Sequence, residues 1–315
     1  MQEIILNHPY IDDLKAVDVK TYITERKKHF PNLEEDFSSL KDYKTILVLA
    51  MGYPHQPVKW KGKGYGLVSR YSYGSDYHLV FKNVFEVLEK PLNELNINHQ
   101  GYADINVIDE RFAGYLAGLG YLGKNQFLIH PRLGTYFYLG VLLVDQAVHT
   151  DAYAYDSCGS CTKCIEACPT GALDNGFDKR KCSSFVTQMK APLQDVDIKP
   201  LKTMVFGCDI CQNVCPKNIG IDTIERPVFT ADENSQLDLK ALLKMSNKAI
   251  AKKYRDYAFS FRGSLVLKRN AFALLYNQQL TEALPLMKQV YENYKHVAWF
   301  SETAKKLIDE MERVK

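Results

Sequence analysis

No run in this sequence is long and apolar enough to cross a bilayer. The most apolar stretches, Ile46–Met51 and Tyr136–Val144, fall far short of the roughly 20 apolar residues a spanning helix needs, and Gly140 interrupts the second. The N-terminus, MQEIILNHPYIDD, lacks a basic region followed by a long apolar run and a small-residue cleavage site. Nothing there marks export, so a cytoplasmic protein is expected. Neither sign of charge dominates, with 40 Lys and Arg against 37 Asp and Glu. Only 18 glycines and 12 prolines in 315 residues exclude a fibrous chain, and 24% charged with 12% aromatic residues excludes a disordered or low-complexity one. Sequence repeats of fixed period are absent. The glycines of Lys61-Gly-Lys-Gly-Tyr-Gly66 lack the spacing of a phosphate-binding loop, so ATP use is not expected.

Cysteine is missing from residues 1–157 and 216–315, yet eight occur between: Cys158, Cys161, Cys164, Cys168, Cys182, Cys208, Cys211 and Cys215. A disulfide framework suits a small secreted domain, not a mid-sized chain without an export signal. Cys158-Gly-Ser-Cys161-Thr-Lys-Cys164-Ile-Glu-Ala-Cys168-Pro169 has the spacing of bacterial ferredoxins, and Cys208-Asp-Ile-Cys211-Gln-Asn-Val-Cys215-Pro216 is a shorter second copy. Eight thiolates suit two 4Fe-4S clusters. Close spacing lets three thiolates grip one cubane, while the longer spacer throws the fourth toward the neighbouring cluster. That rule groups Cys158, Cys161, Cys164 and Cys215, and separately Cys168, Cys182, Cys208 and Cys211. Paired knuckles can also bind zinc, but zinc calls for neither a third close Cys nor a Cys-Pro ending in both groups. Such clusters relay electrons and do not name the acceptor.

Residues 1–43 read as polar and helix-prone, Thr45–Ala50 as a buried strand, and 56–75 as a Gly- and Tyr-rich loop. Val80, Val84, Val87, Leu88, Leu92 and Leu95 recur at helical steps over Asp76–Asn96, with a disturbance expected at Pro91. A further helix is expected over about Asp109–Leu119, ending near Gly120. Thr135–Val144 reads as a central strand. The organisation is therefore an α/β or α+β core over 1–150, a cluster segment over 151–222, and a wholly helical region over 223–315.

Between Lys244 and Arg269 eight basic residues meet one acid, Asp256, with Tyr254, Tyr257, Phe259 and Phe261 interleaved. Such a run is commonly a solvated helix face. It is also the footprint of a nucleic-acid surface, for which Lys252, Lys253, Arg262, Lys268 and Arg269 are the candidates.

Arg111-Phe-Ala-Gly-Tyr-Leu-Ala-Gly-Leu-Gly-Tyr-Leu-Gly-Lys-Asn125, Gly134-Thr-Tyr-Phe-Tyr-Leu-Gly140 and Tyr71-Ser-Tyr-Gly-Ser-Asp-Tyr-His78, with the cysteine groups, resemble the epoxyqueuosine reductase family over about Thr45–Asn270. The resemblance implies an α+β fold with a reductive-dehalogenase-like cobalamin-binding α/β core. It further implies a bacterial-ferredoxin-like domain with two 4Fe-4S clusters and a short C-terminal helical, HEAT-like region that contacts tRNA; longer relatives carry additional helical repeats. The implied reaction reduces the epoxide of epoxyqueuosine in a tRNA anticodon loop to queuosine. An epoxide becoming an alkene plus water takes two electrons and two protons; the electrons would come from an external donor through the clusters and cobalamin, and the enzyme is expected to be monomeric and membrane-free.

By the same resemblance Asp104 is the proton donor, although Ile105, Asn106 and Val107 replace the family's Thr-Gly-Pro stretch. Without it, Asp104 could simply cap a turn. Burial against a corrin would make its carboxyl hold its proton. Lys124, Asn125, Leu128 and Leu139 are assigned to cobalamin, with Ser69, Arg70, Tyr71 and Ser184 as further contacts alongside Asp104. His78 is read as a structural residue, because Phe81 stands where a cobalt-binding histidine motif requires Gly. Two alternatives stay open. One is a dehalogenase-like corrinoid reductase of a small molecule, against which the basic run argues. The other is a ferredoxin-type electron carrier, for which some 240 residues outside the cluster segment are superfluous.

Overall fold

The computed structural model describes residues 1–104, 107–153 and 157–314. The chain forms two compact units of interleaved segments: Met1–His55, Tyr77–Thr162 and Cys215–Glu225 in one, Gln56–Asp76, Lys163–Val214 and Arg226–Lys315 in the other. The strands among the described residues are β1 (Asp13–Asp18), β2 (Thr45–Gly52), β3 (Tyr65–Val68), β4 (His99–Tyr102), β5 (Tyr121–Leu122), β6 (Leu128–Ile129), β7 (Phe137–Val144), β8 (Met204–Phe206) and β9 (Gln236–Asp238).

The first unit is built on an antiparallel sheet of order β1-β2-β7-β4. Every residue of β2 is buried, which is why it reads as an unbroken apolar run rather than an alternating one. On one face Ile46, Val48, Ala50, Val141 and Leu143 pack with Phe112 and Ala113 of the Glu110–Leu116 helix. Against the other lies the Tyr77–Glu94 helix, and glycines make the room. A Cβ on Gly140 would stand 2.5 Å from Phe81, and one on Gly101 2.3 Å from Phe85. Val80, Phe81, Val84, Leu88 and Leu92 are buried, whereas Val87 and Leu95, expected on the apolar face, are exposed; the helix runs through Pro91.

The Glu110–Leu116 helix starts at Asp109, whose Oδ1 accepts from the Phe112 amide at 3.1 Å. The glycine that closes it, just past Leu116, is Gly118 rather than Gly120: Gly118 takes φ 79°, its amide donates to the Tyr115 carbonyl, and the Leu119 amide donates to the Gly114 carbonyl. These paired bonds satisfy carbonyls the helix leaves open. Two other expectations are corrected. β1 emerges from the segment read as helix-prone, where its backbone pairs antiparallel with β2, from Asp13 opposite Ala50 to Asp18 opposite Thr45, and Leu14 and Val17 are buried. β9 interrupts the region read as wholly helical.

The second unit has a small sheet of order β8-β3-β9, in which β3 lies within the segment read as loop. Gly66 admits Val205, Leu239 and Leu274, and Phe206, Phe272, Phe300 and Leu307 fill the core beneath the C-terminal helices. No helix among the described residues is long and apolar enough to cross a membrane.

Candidate functional site

Asp104 follows β4 by two residues, and the Tyr77–Glu94 helix precedes that strand through a short return. The helix must therefore run antiparallel to β4, which brings its first turn beside the strand's end. There Oδ2 of Asp104 accepts from Nε2 of His78 at 3.0 Å and from the Tyr77 hydroxyl. Tyr77 is stacked on Tyr138 of β7, with ring centroids 4.4 Å apart at 8°. Asp104 itself adopts φ 63°, and its amide donates to Glu110 Oε1 at 2.7 Å. It caps no helix; Asp109 does that. Ile105 and Asn106 lie outside the described residues. A cavity of about 460 Å³ is lined by residues including His78, Tyr102 and Ala103.

The direction of Asp104's pKa reverses the expectation. Burial is the largest influence and pushes the carboxyl up, but hydrogen bonds from His78 and Tyr77, with the charges of His78 and Arg111, prevail and leave it lowered. Its side chain is half exposed, so burial acts less strongly than the burial against a corrin expected from sequence. His78 stands in the helix's first turn and is also the acid's partner.

The turn between β5 and β6 carries Lys124 and Asn125. Lys124 Nζ donates to the carbonyls of Gly159 (2.8 Å) and Cys161 (3.0 Å), and its amide approaches Cys158 Sγ at 3.5 Å. Its ammonium thus holds the first cysteine loop. Asn125 is buried; Oδ1 accepts from the Phe127 amide, while Nδ2 has no partner among the described residues. Leu128 is in the core and Leu139 is partly buried against it.

In the second unit, Asp209, inside the second cysteine motif, is buried and accepts from the Ser69 hydroxyl and the Arg70 amide. Burial pushes its carboxyl up despite these bonds and the Arg70 charge. Arg70 also donates to Asn213 Oδ1 at 2.6 Å. Gly207, at φ 73°, permits the approach, since a Cβ there would lie 2.4 Å from Ser69. Tyr71 and Ser184 meet through Gln188, whose Nε2 lies 3.5 Å from the Tyr71 hydroxyl and 3.1 Å from the Ser184 carbonyl. Tyr77 and Asp209 were missed from sequence, and His78 was read there only as a structural residue; the only signal for Asp209 was a carboxylate placed inside a cysteine motif.

None of the eight cysteines is joined in a disulfide. In the first unit Cys215 is pushed up by burial and by the charges of Cys158 and Cys161. In the second, burial pushes Cys208 to about 12, with further contributions from Asp209, Cys182 and Cys168. Burial also raises Cys211, which feels Cys208, Cys182, Cys164 and Cys168. Cys168 goes the other way: burial raises it, but hydrogen bonds from the Thr170 hydroxyl and the amides of Thr170, Ala172 and Gly171 prevail. Among the described residues no three His, Cys, Asp or Glu side chains close on a single ion. Soft donors gathered this way suit iron and sulfide, whose binding displaces the protons.

Two candidates for nucleic-acid contact are corrected. Lys268 is buried and donates to the carbonyls of Leu243 (3.3 Å) and Met245 (2.6 Å). Arg269 is fully buried; its guanidinium binds the carbonyls of Val186, Met189 and Ala191 and the Asn270 side chain. Both cations serve as internal staples, on helix positions whose neighbours are core. Lys252, Lys253 and Arg262 are exposed, Arg262 lying over the exposed ring of Phe261 at 4.5 Å.

Residues 157–218 match the family described as a 4Fe-4S double cluster binding domain, and residues 37–105 that described as Epoxyqueuosine reductase QueG, DUF1730. The chain is 37% identical over 262 residues to the epoxyqueuosine reductase of Staphylococcus aureus, covering 80% of this chain and 68% of the relative. A Bacillus subtilis epoxyqueuosine reductase, solved with its catalytic aspartate loop swung out of the active site, superposes with a TM-score of 0.85 at 27% identity, covering 98% of this chain and 90% of that one. An epoxyqueuosine reductase crystallised with an epoxyqueuosine-modified tRNA stem loop gives 0.82 at 26% identity, covering 100% and 92%. With a 4Fe-4S cluster binding domain and this mixed α+β fold, the chain belongs to the epoxyqueuosine reductase family.

Proposed function

We propose that this protein reduces the epoxide of epoxyqueuosine in tRNA to the alkene of queuosine. The observation that carries the reading is the similarity to epoxyqueuosine reductases across both units, including one crystallised with its modified tRNA stem loop. Two 4Fe-4S clusters are assigned, one to Cys158, Cys161, Cys164 and Cys215 and one to Cys168, Cys182, Cys208 and Cys211, with electrons passing singly between them. Residues 1–150 supply the catalytic core, 151–222 the clusters and 223–315 the tRNA surface.

The unpartnered Asn125 Nδ2 supports a bound polar group, and Asn125 with Leu139 is left to hold cobalamin, whereas Lys124, Leu128, Ser69 and Arg70 already have partners. Cobalamin, when bound, would supply a strongly reducing cobalt centre for the epoxide carbon. Asp104 gives a proton to the epoxide oxygen as the carbon–oxygen bond breaks. Because its carboxyl is held ionised here, the proton reaches it along the 3.0 Å bond from His78, while Tyr77 keeps the carboxylate aimed. The experiment is anaerobic reconstitution with iron, sulfide and cobalamin, followed by nucleoside analysis of tRNA carrying epoxyqueuosine. Queuosine is expected, with about eight irons per chain. Equal turnover of the free nucleoside and tRNA would favour a small-molecule reductase. Iron without cobalamin binding would favour an electron carrier.

A further inference from the structure

Each turnover consumes two electrons, and clusters only relay them, so a reduced carrier must be oxidised twice at the protein surface. Electron transfer weakens steeply with distance, so such a carrier needs a place where a cluster ligand approaches the surface. In the second unit a cavity of about 910 Å³ meets this requirement. Its wall includes Pro169 and Thr170, which follow Cys168, and Lys181, which precedes Cys182. The Thr170 hydroxyl lies 3.5 Å from Cys168 Sγ.

We propose that this cavity, with Lys181, Lys199, Lys202 and Val196 around Thr170, docks an acidic one-electron carrier protein. The inference rests on the reading that Cys168 and Cys182 hold a 4Fe-4S cluster. The charges favour an acidic partner. Of the carboxylates in the wall, Asp178 is paired with Arg180, Asp195 with Lys306, and Asp197 accepts from the Gln194 amide. Lys181, Lys199 and Lys202 are exposed and make no salt bridge among the described residues, although the charge of Lys181 acts on Asp178, so each of these acids has a bonded partner while the lysine ammoniums stay open to a docking protein. Val196, 76% exposed, adds an aliphatic contact beside Pro169 and Pro200. A small apolar centre within a charged rim matches a transient redox interface, and an RNA backbone gains nothing from the valine. The electron balance is two carriers oxidised by one electron each, against one epoxide that takes two electrons and two protons to become an alkene and water.

The test uses holoenzyme and reduced flavodoxin as the probe, following flavin oxidation by stopped flow. Replacing Lys181, Lys199 and Lys202 together by Glu should slow the second-order rate by about tenfold or more and flatten its salt dependence. Val196→Glu should slow it independently. Cluster reduction by dithionite, the cluster EPR signals and tRNA affinity should stay unchanged in both variants. An unaltered flavodoxin rate with intact clusters overturns the proposal. So does a loss of tRNA affinity with the flavodoxin rate preserved, which would make the face an RNA surface. Failure of the wild-type chain to assemble a cluster on Cys168 and Cys182 would instead overturn the underlying reading, and this inference with it.

Discussion

Nε2 of His78 lies 3.0 Å from Oδ2 of Asp104, across the junction of a helix's first turn and a strand's last residues. The pair sets the charge of the acid. Burial pushes the Asp104 carboxyl up, whereas this contact, with Tyr77 and the Arg111 charge, leaves it lowered and ionised. A proton donor so arranged needs its proton renewed, and the imidazole is placed to do it.

Asp104→Asn keeps the shape and removes the transferable proton. Turnover should fall on the order of a hundredfold or more, with iron content and cobalamin binding intact. Near-normal turnover would move the acid's role to another group.

His78→Gln keeps a donor to Asp104 but cannot carry a positive charge. The Asp104 carboxyl should then titrate at higher pH, read by carbon NMR of labelled aspartate, because a stabilising charge is gone while burial remains. Turnover should fall as well. An unmoved Asp104 titration would show that Tyr77 and Arg111 suffice.

Lys124→Met removes both ammonium bonds to the first cysteine loop. Iron should leave that cluster about tenfold faster under chelator, the effect of ~1.4 kcal/mol, while cobalamin affinity stays. The opposite pattern, with iron kept and cobalamin weakened, would return Lys124 to the corrin.

The two central strands were legible because β2 and β7 are buried on both faces and so read as continuous apolar runs. β1 was not, since an edge strand of six residues with Asp13, Lys15 and Asp18 looks like polar surface. Cysteine spacing disclosed the cluster ligands because that chemistry is local in sequence. The His78 contact to Asp104 spans 26 residues and depends on a helix folding back along a strand. Arg269 misled for a similar reason: the carbonyls that bury it come from residues 78 to 83 positions away.

Asp13 offers a test of stability against pH. Its Oδ2 accepts from His130 Nε2 at 2.8 Å and from the Tyr153 hydroxyl at 2.5 Å. Burial raises its pKa, but these bonds, the Leu14 amide and the His130 charge leave it lowered. A depressed folded value means the contribution is complete above the unfolded value of about 3.9 and is lost as pH falls through the folded one. Asp13→Asn should cost about 2 kcal/mol at pH 7, with the gap narrowing below about pH 4 in urea unfolding. A constant gap down to pH 3 would count against the network.

The exposed and buried cations of the basic run should separate cleanly. If Lys252, Lys253 and Arg262 each touch a phosphate, replacing all three by Gln weakens tRNA binding and flattens the log-log salt slope by about 2, at roughly 0.7 per contact on single-stranded RNA. Clusters and thermal stability should be unaffected, because these side chains lie outside the core. Lys268→Met should behave in the opposite way. It leaves the Leu243 and Met245 carbonyls without their buried donor, which lowers the unfolding midpoint but leaves the salt slope of the folded fraction unchanged. Burial also lowers the Lys268 pKa to about 8, so the unfolded chain binds the extra proton above that pH. Stability from this residue should therefore rise between about pH 8 and 10, a rise the methionine variant lacks. A salt slope untouched by the triple substitution would make the exposed run a solvated face and place the RNA elsewhere.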